Sequence, residues 1–385
     1  MTDAELTSAV LTAVGAVTDP ELRRPLSELQ MVSDVRAQDG VARVAVALTI
    51  VGCPASDRIE ADVRRAAASV PGIREVEITL GVMTPEERAA LTERLRGGRA
   101  RREMPFGPGS LTRVIAVTSG KGGVGKSTLT ANLAVALAAT GLSVGLVDAD
   151  VHGFSIPGLL GLIGPDGTVP QPTRIDDLMI PPVAHGVKVV SIGMFLRRGR
   201  DDAPLGAVAW RGPMLHRTVQ QFLTDVWFGD LDILLLDMPP GTGDIAISVG
   251  QLLPDAEVLV TTTPQSAAAD VAIRSGLVAR QTGQRVMGVV ETMAPMTLPD
   301  GTTLDLFGTG GGEAVARTLS TPDETVELLA SVPLSPALRA DGDAGTPVVL
   351  AHPDDPAARA IRDLAATLAR SPRGLSGRSL PLRPR

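Results

Sequence analysis

Of 36 basic residues in this 385-residue chain only three are lysine: Lys121, Lys126 and Lys188. Two of them share one stretch, Gly120-Lys121-Gly122-Gly123-Val124-Gly125-Lys126-Ser127-Thr128. The spacing satisfies G-x-x-x-x-G-K-[ST], a phosphate-cradling pattern with a physical basis. Glycines let successive backbone N–H groups curl around an anion, and a helix beginning at the loop adds partial positive charge. The compact ammonium of Lys126 can follow β- and γ-phosphate oxygens where a planar guanidinium would not fit the same curl. Ser127 offers a hydroxyl to Mg²⁺. Lys121 has no role within an ordinary loop of this kind.

Two apolar runs deliver carboxylates beside this stretch. In "LDILLLDMPPGTGD" Asp237 follows four aliphatic residues, the pattern of a Walker B strand, and would hold Mg²⁺ through water. Gly241 and Gly243 then permit a loop that senses a γ-phosphate. In "VGLVDADVHG" Asp148 and Asp150 alternate by two, so both point the same way if the strand persists. Asp150, further out, is the choice for orienting an attacking water. The competing reading of each carboxylate is a cap on the following segment.

These residues need a strand into the loop and a helix out of it. "RVIAVT" is the strand, and "STLTANLAVALAATG" is the helix, stopped by Gly141. From residue 111 onward, apolar runs alternate with helical segments, "SVGLVDAD", "VKVVSIG", "LDILLLDMP", "EVLVTTTP", "RVMGVVETM" and "ELLASVPL" among them. Continuous Val/Ile/Leu character means both faces of each strand are covered. The expected class is α/β, a mostly parallel twisted sheet between helix layers with ligands at the carboxyl ends of the strands.

Residues 1–95 read as a small α+β unit. Thr2 and Glu5 form a capping box opening a helix through Val17. Two strands flank a Gln38-Asp39-Gly40 turn, with Val44, Val46, Leu48 and Ile50 on one face. Residues 96–110, rich in Gly, Pro and Arg, read as a linker; Arg94, Arg96, Arg99, Arg101 and Arg102 near it suit a solvated hinge better than a phosphate contact. Residues 111–370 form the α/β domain. The basic, Pro/Gly-rich 371–385 is expected to be disordered.

Composition narrows the function classes. A net charge of −7 and an absence of tyrosine disfavour nucleic acid as a partner. No apolar run approaches the roughly 18–20 residues of a membrane span. The acidic start "MTDAELTSAV" is not a signal peptide, and the single cysteine, Cys53, suits a reducing compartment, so a cytoplasmic location is expected. Cys53 precedes a predicted helix, a position that lowers a thiol pKa, although a lone cysteine is as often an inert buried residue. His152, His185, His216 and His352 show no metal-ligand spacing.

Together "GKGGVGKST", "DAD" and "LLLDMPPGTGD" resemble the signature-lysine, or deviant Walker, P-loop ATPases. With "WRGPM" at 210–214, "TTPQ" at 262–265 and "RADGDAGTP" they look like the Mrp/ApbC iron–sulfur cluster carriers across residues 111–370. The amino-terminal unit resembles the MIP18-like domain often fused to them. The resemblance implies ATP and Mg²⁺ as ligands, hydrolysis by a homodimer, and apo iron–sulfur proteins or assembly factors as partners. Lys121 would be the signature lysine, reaching the partner subunit's phosphates, with Asp150 orienting water and residues 237–244 forming the second switch.

Two departures stand out. The family carries a C-x-x-C pair by which two subunits bridge an iron–sulfur cluster. Here that segment reads "ETMAPMTLPDGTTLDLFGTGGGE", without cysteine. Four thiolates are the usual demand, and two copies of this chain offer only their two Cys53 residues. Thr292 stands where the family usually has an asparagine that helps read the base. A nucleotide-driven positioning or partition switch is the alternative; it calls for an amphipathic membrane helix or a basic DNA face, and the tail supplies neither.

Overall fold

The computed structural model describes residues 1–50, 53, 55–97, 103–107, 109–150, 153–195 and 212–370. The expected disordered tail, Arg99, Arg101, Arg102, His152, Trp210 and Arg211 lie outside them. By their contacts the residues form two units.

The larger unit holds an eight-stranded sheet in the order Leu328–Pro333, Arg285–Ala294, Glu257–Thr262, Arg113–Ser119, Ile233–Asp237, Val144–Asp148, Val187–Ser191, Val183–Ala184. Adjacent pairs among the first seven are parallel. Every residue of Val144–Asp148, Val187–Ser191 and Ile233–Asp237 is buried, as continuous aliphatic runs require when helices cover both faces. Arg113–Ser119, first of these strands in the chain, lies between Ile233–Asp237 and Glu257–Thr262. The chain leaves it in one direction and later returns to its other side, which makes its carboxyl end the switch point where such sheets bind ligands. The helix Lys126–Ala139 packs beneath the sheet through Leu129, Leu133 and Leu137, each at most 2% exposed. Such a leucine contributes about 1.5–3 kcal/mol.

The smaller unit comprises residues 1–103 with two later segments, Pro172–Val183 and Asp225–Gly229. Its sheet has the order Val32–Gln38, Val41–Leu48, Glu75–Val82, antiparallel then parallel. The capping box is formed: Thr2 Oγ1 accepts from Glu5 N, and Thr2 N donates to Glu5 Oε2 at 2.8 Å. That helix stops at Gly15 rather than Val17. Asp39 and Gly40, with φ of +52° and +76°, make the tight turn between the first two strands. Val44, Val46 and Leu48 are buried, but Ile50 lies beyond the strand end and is half-buried.

The later segments complete this unit's core. Ile175, Leu178, Ile180 and Trp227 join Val10, Val14, Leu26, Ile59 and Leu91 in one cluster. Trp227 Nε1 donates to Leu95 O at 2.9 Å. Arg96, read from sequence as part of a solvated hinge, closes the helix Pro85–Arg96 and pairs with Asp177 at 2.5 Å. Among the described residues no helix is long and apolar enough to cross a membrane.

Candidate functional site

The loop at the carboxyl end of Arg113–Ser119 owes its shape to three glycines. A Cβ on Gly120 would stand 2.2 Å from the Val271 carbonyl carbon and 2.3 Å from Ala272 N, so the helix Ser266–Gln281 excludes any side chain there. Gly123 and Gly125 both have φ of +77°, a left-handed conformation that glycine adopts without steric cost. Gly125 then caps the helix that begins at Lys126. Opposite, Gly241 (φ +92°) donates its N–H to Ser119 O at 2.7 Å, fastening the loop that follows Asp237 against this one.

Asp237 is wholly buried at its strand end, and three side chains of the loop helix meet it. Its Oδ1 accepts from Lys126 Nζ at 2.7 Å and lies 2.9 Å from Thr130 Oγ1; its Oδ2 accepts from Ser127 Oγ at 2.6 Å. Lys126 is itself only 6% exposed. A buried ion pair of this kind stands only when hydrogen bonds satisfy its remaining lone pairs; Ser127 Oγ does so at Oδ2, and the one Thr130 proton lies between Asp237 Oδ1 and Lys126 O, the latter 2.8 Å away. Thr130 was not singled out from sequence, although its place one turn after Lys126 puts it on the same helix face. The donor set beside the helix N-terminus, one hydroxyl and one carboxylate, is hard oxygen and fits Mg²⁺.

Asp148 pairs in register with Asp237 on the adjacent strand. Burial, and then the negative charge of Asp237, push its carboxyl up to about 8. Ser191 Oγ donates to its Oδ2 at 2.9 Å, and Asp150 N donates to its Oδ1 at 3.2 Å. The strand ends at Asp148, so the alternation expected to align Asp148 with Asp150 does not extend that far. Asp150 instead lies beyond the strand, where its Oδ1 accepts from Gly153 N at 3.1 Å.

Lys121 does not join the Asp237 cluster. Its Nζ donates to Gln265 Oε1 at 3.4 Å, at the start of the helix Ser266–Gln281. Beside the loop opens an apolar cavity of about 530 Å³ whose lining includes Gly125, Thr128, Met293, Met296, Leu334 and Leu338. Its volume falls in the range of small-molecule and cofactor sites. No sequence pattern announces this cavity, because its walls come from chain segments far apart.

Cys53 belongs to the smaller unit. It is 4% exposed, and its Sγ donates to Glu21 Oε2 at 3.6 Å. Burial first, then the charges of Glu21 and Asp19, push the thiol up to about 11. The lowered thiol pKa that the helix start would give is therefore overturned: burial, with the two carboxylates adding to it, outweighs the lowering hydrogen bond from the Ala55 backbone. Burial also raises Asp19 and Glu21 themselves, and Glu21 Oε1 accepts from Thr173 Oγ1 at 2.9 Å. Of the histidines, His352 Nδ1 lies 2.7 Å from Asp341 Oδ2. Among the described residues no group of three or more His, Cys, Asp or Glu is arranged to hold a metal ion. In the cysteine-free segment that follows the strand Arg285–Ala294, residues 298–302 form a turn in which Leu298 N donates to Thr302 O at 2.8 Å.

Residues 110–369 match the family model of the NUBPL iron-transfer P-loop NTPase, and residues 7–80 match that of an iron–sulfur cluster assembly protein. The iron–sulfur cluster carrier protein of Mycobacterium tuberculosis (strain ATCC 25618 / H37Rv) is 52% identical over 385 residues, covering 99% of this chain and 98% of its own. The protein of that name from Synechocystis is 40% identical over 366 residues, with 94% and 97% covered. A solved nucleotide-binding protein in complex with ADP, from Archaeoglobus fulgidus, is 35% identical with a TM-score of 0.49, covering 60% of this chain and 86% of that one. The glycine loop, the Lys126–Asp237 cluster and a match spanning most of the chain lead to one conclusion: this protein is a member of the NUBPL iron-transfer family of P-loop NTPases.

Proposed function

We propose that the chain binds and hydrolyses ATP as a homodimer and uses that cycle in delivering iron–sulfur clusters to apoproteins. The observation that carries the reading is the cluster of Lys126, Ser127 and Thr130 on Asp237 beneath a glycine loop at a helix N-terminus. The loop N–H groups and the helix end bind the phosphates, and Lys126 transfers its ammonium from Asp237 to their oxygens. Mg²⁺ held by Ser127 and, through water, by Asp237 would neutralise phosphate charge. Asp150 orients a water that attacks the γ-phosphorus as the bond to the β-phosphate oxygen breaks, giving ADP and phosphate. Lys121, turned to Gln265 within its own chain, acts on the partner subunit's phosphates, so turnover depends on dimer formation. The names of the relatives favour the iron–sulfur reading over a positioning switch.

Cluster delivery here does not rest on a subunit-bridging C-x-x-C site. The only cysteine is buried beside Glu21, and two copies of it fall short of the four thiolates a cluster usually takes, so the chain serves as a nucleotide-controlled scaffold or switch for a cluster whose ligands lie in partners. Two measurements test the reading. Lys126→Ala should abolish detectable ATP binding; wild-type affinity in that variant would overturn the assignment. Anaerobic reconstitution with iron and sulfide should leave little iron on the dimer, whereas a full four-iron complement would show that the chain supplies its own ligands.

A further inference from the structure

The strand Arg285–Ala294 loses its regularity where it reaches the site. Its pairing with Leu328–Pro333 shifts register between Thr292 and Ala294, and Met293, the intervening residue, has φ of +55°. A long side chain in that region is strained and persists only where its surroundings require it. The bulge leaves Thr292 6% exposed, with Oγ1 2.5 Å from Val124 O and 2.9 Å from Thr262 O. Val124 belongs to the phosphate loop, and Thr262 ends the neighbouring strand. A hydroxyl has one proton to donate, and both acceptors within reach are backbone carbonyls. Thr292 also borders the apolar cavity beside Gly125, but its one proton faces the Val124 and Thr262 carbonyls, with Val124 O the nearer.

From this arrangement we infer that Thr292 is a positioning residue of the phosphate loop and takes no part in reading the base. The role rests on the nucleotide reading above. In a planar trans peptide the C=O and the following N–H point in opposite directions. Fixing the Val124 carbonyl on Thr292 therefore turns the Gly125 N–H away from Thr292 and sets one donor of the loop before any ligand arrives. The hydroxyl acts on whatever phosphate the loop holds, irrespective of the base attached to it.

The test compares ATP, GTP and inorganic tripolyphosphate, each with Mg²⁺, on the full chain and on Thr292→Val and Thr292→Ser. Thr292→Val, which keeps the shape and removes the proton, should weaken all three by about tenfold alike. It should raise KM more than it lowers kcat, and Thr292→Ser should restore the loss. If tripolyphosphate binds Thr292→Val as it binds the wild type while the ATP-to-GTP ratio shifts, Thr292 reads the base and the inference is wrong. Unchanged affinity for all three also overturns it. Failure of the unaltered chain to bind ATP would overturn the proposed function and this role with it, an outcome visible before any variant is made.

Discussion

Replacing Asp237 by asparagine should uncouple nucleotide binding from Mg²⁺. Without ligand the Lys126 ammonium rests on the Asp237 carboxylate at 2.7 Å, the two side chains 6% and 0% exposed. To reach a phosphate, the ammonium must give up that bond. A hydrogen bond between charged groups contributes about 1.5–3 kcal/mol, which as a handicap on binding is roughly 10- to 100-fold in affinity. Mg²⁺ held beside Ser127 and Asp237 would offset it in the wild type by taking over the charge that Lys126 leaves behind. Asp237→Asn keeps one acceptor oxygen, on the side of Lys126 and Thr130 or on the side of Ser127 but not on both, and has no charge to hold Lys126 or the cation. ATP affinity in EDTA should then rise, by up to about tenfold because the amide oxygen still accepts a weaker bond. The gain on adding Mg²⁺ should nearly vanish. Competition against a fluorescent ATP analogue, with EDTA and with Mg²⁺, measures both quantities on each protein. Equal Mg²⁺ stimulation in wild type and Asp237→Asn would refute the exchange of partners on which the reasoning depends.

Two further outcomes concern buried protons. Asp148, raised from 3.8 to about 8 by burial and by Asp237, keeps a proton that the unfolded chain releases in mildly acidic solution. Its contribution to stability is fully present below the unfolded value and is lost as pH rises through the folded one. Asp148→Asn, neutral at every pH, should therefore flatten the fall in Tm between about pH 4 and 8; parallel Tm curves for the two proteins would contradict this. The Cys53 thiol, at about 11 against an ordinary 9.0, holds about a hundredfold less thiolate at pH 8 than an exposed cysteine. Iodoacetamide should thus label the native chain at least about a hundredfold more slowly than the unfolded chain, and comparable rates would show the thiol to be open and ionised.

Features written in local spacing were legible in the sequence. The glycine loop, Lys126, Ser127 and the strand ending in Asp237 follow from short patterns, and the unbroken aliphatic runs announced a parallel sheet. Partners joined by tertiary folding were not legible. Gln265 meets Lys121, Thr292 meets Val124 and Ser191 meets Asp148 across strands that no local period links. The same holds for Cys53: a helix start nearby in sequence argued for an acidic thiol, while Glu21, brought in by folding, argues the other way. Pro172–Val183 and Asp225–Gly229 look like ordinary stretches of the α/β region, yet their apolar side chains complete the core of the smaller unit. Asp150 shows the limit of periodicity, since the strand that would have aligned it with Asp148 ends at Asp148, two residues too early.

Mixing two inactive variants tests the central claim most directly. Lys121→Ala keeps its own phosphate loop but lacks the lysine offered to a partner; Lys126→Ala has lost its loop but still offers Lys121. In a mixed dimer one site has both ammonium groups. Random pairing of equal amounts makes half the dimers mixed, with one working site of two, so ATP turnover should recover to about a quarter of the wild-type rate in a two-fold dimer. No recovery, with mixed dimers shown to form by pull-down of differently tagged chains, would contradict the transfer of Lys121 between subunits.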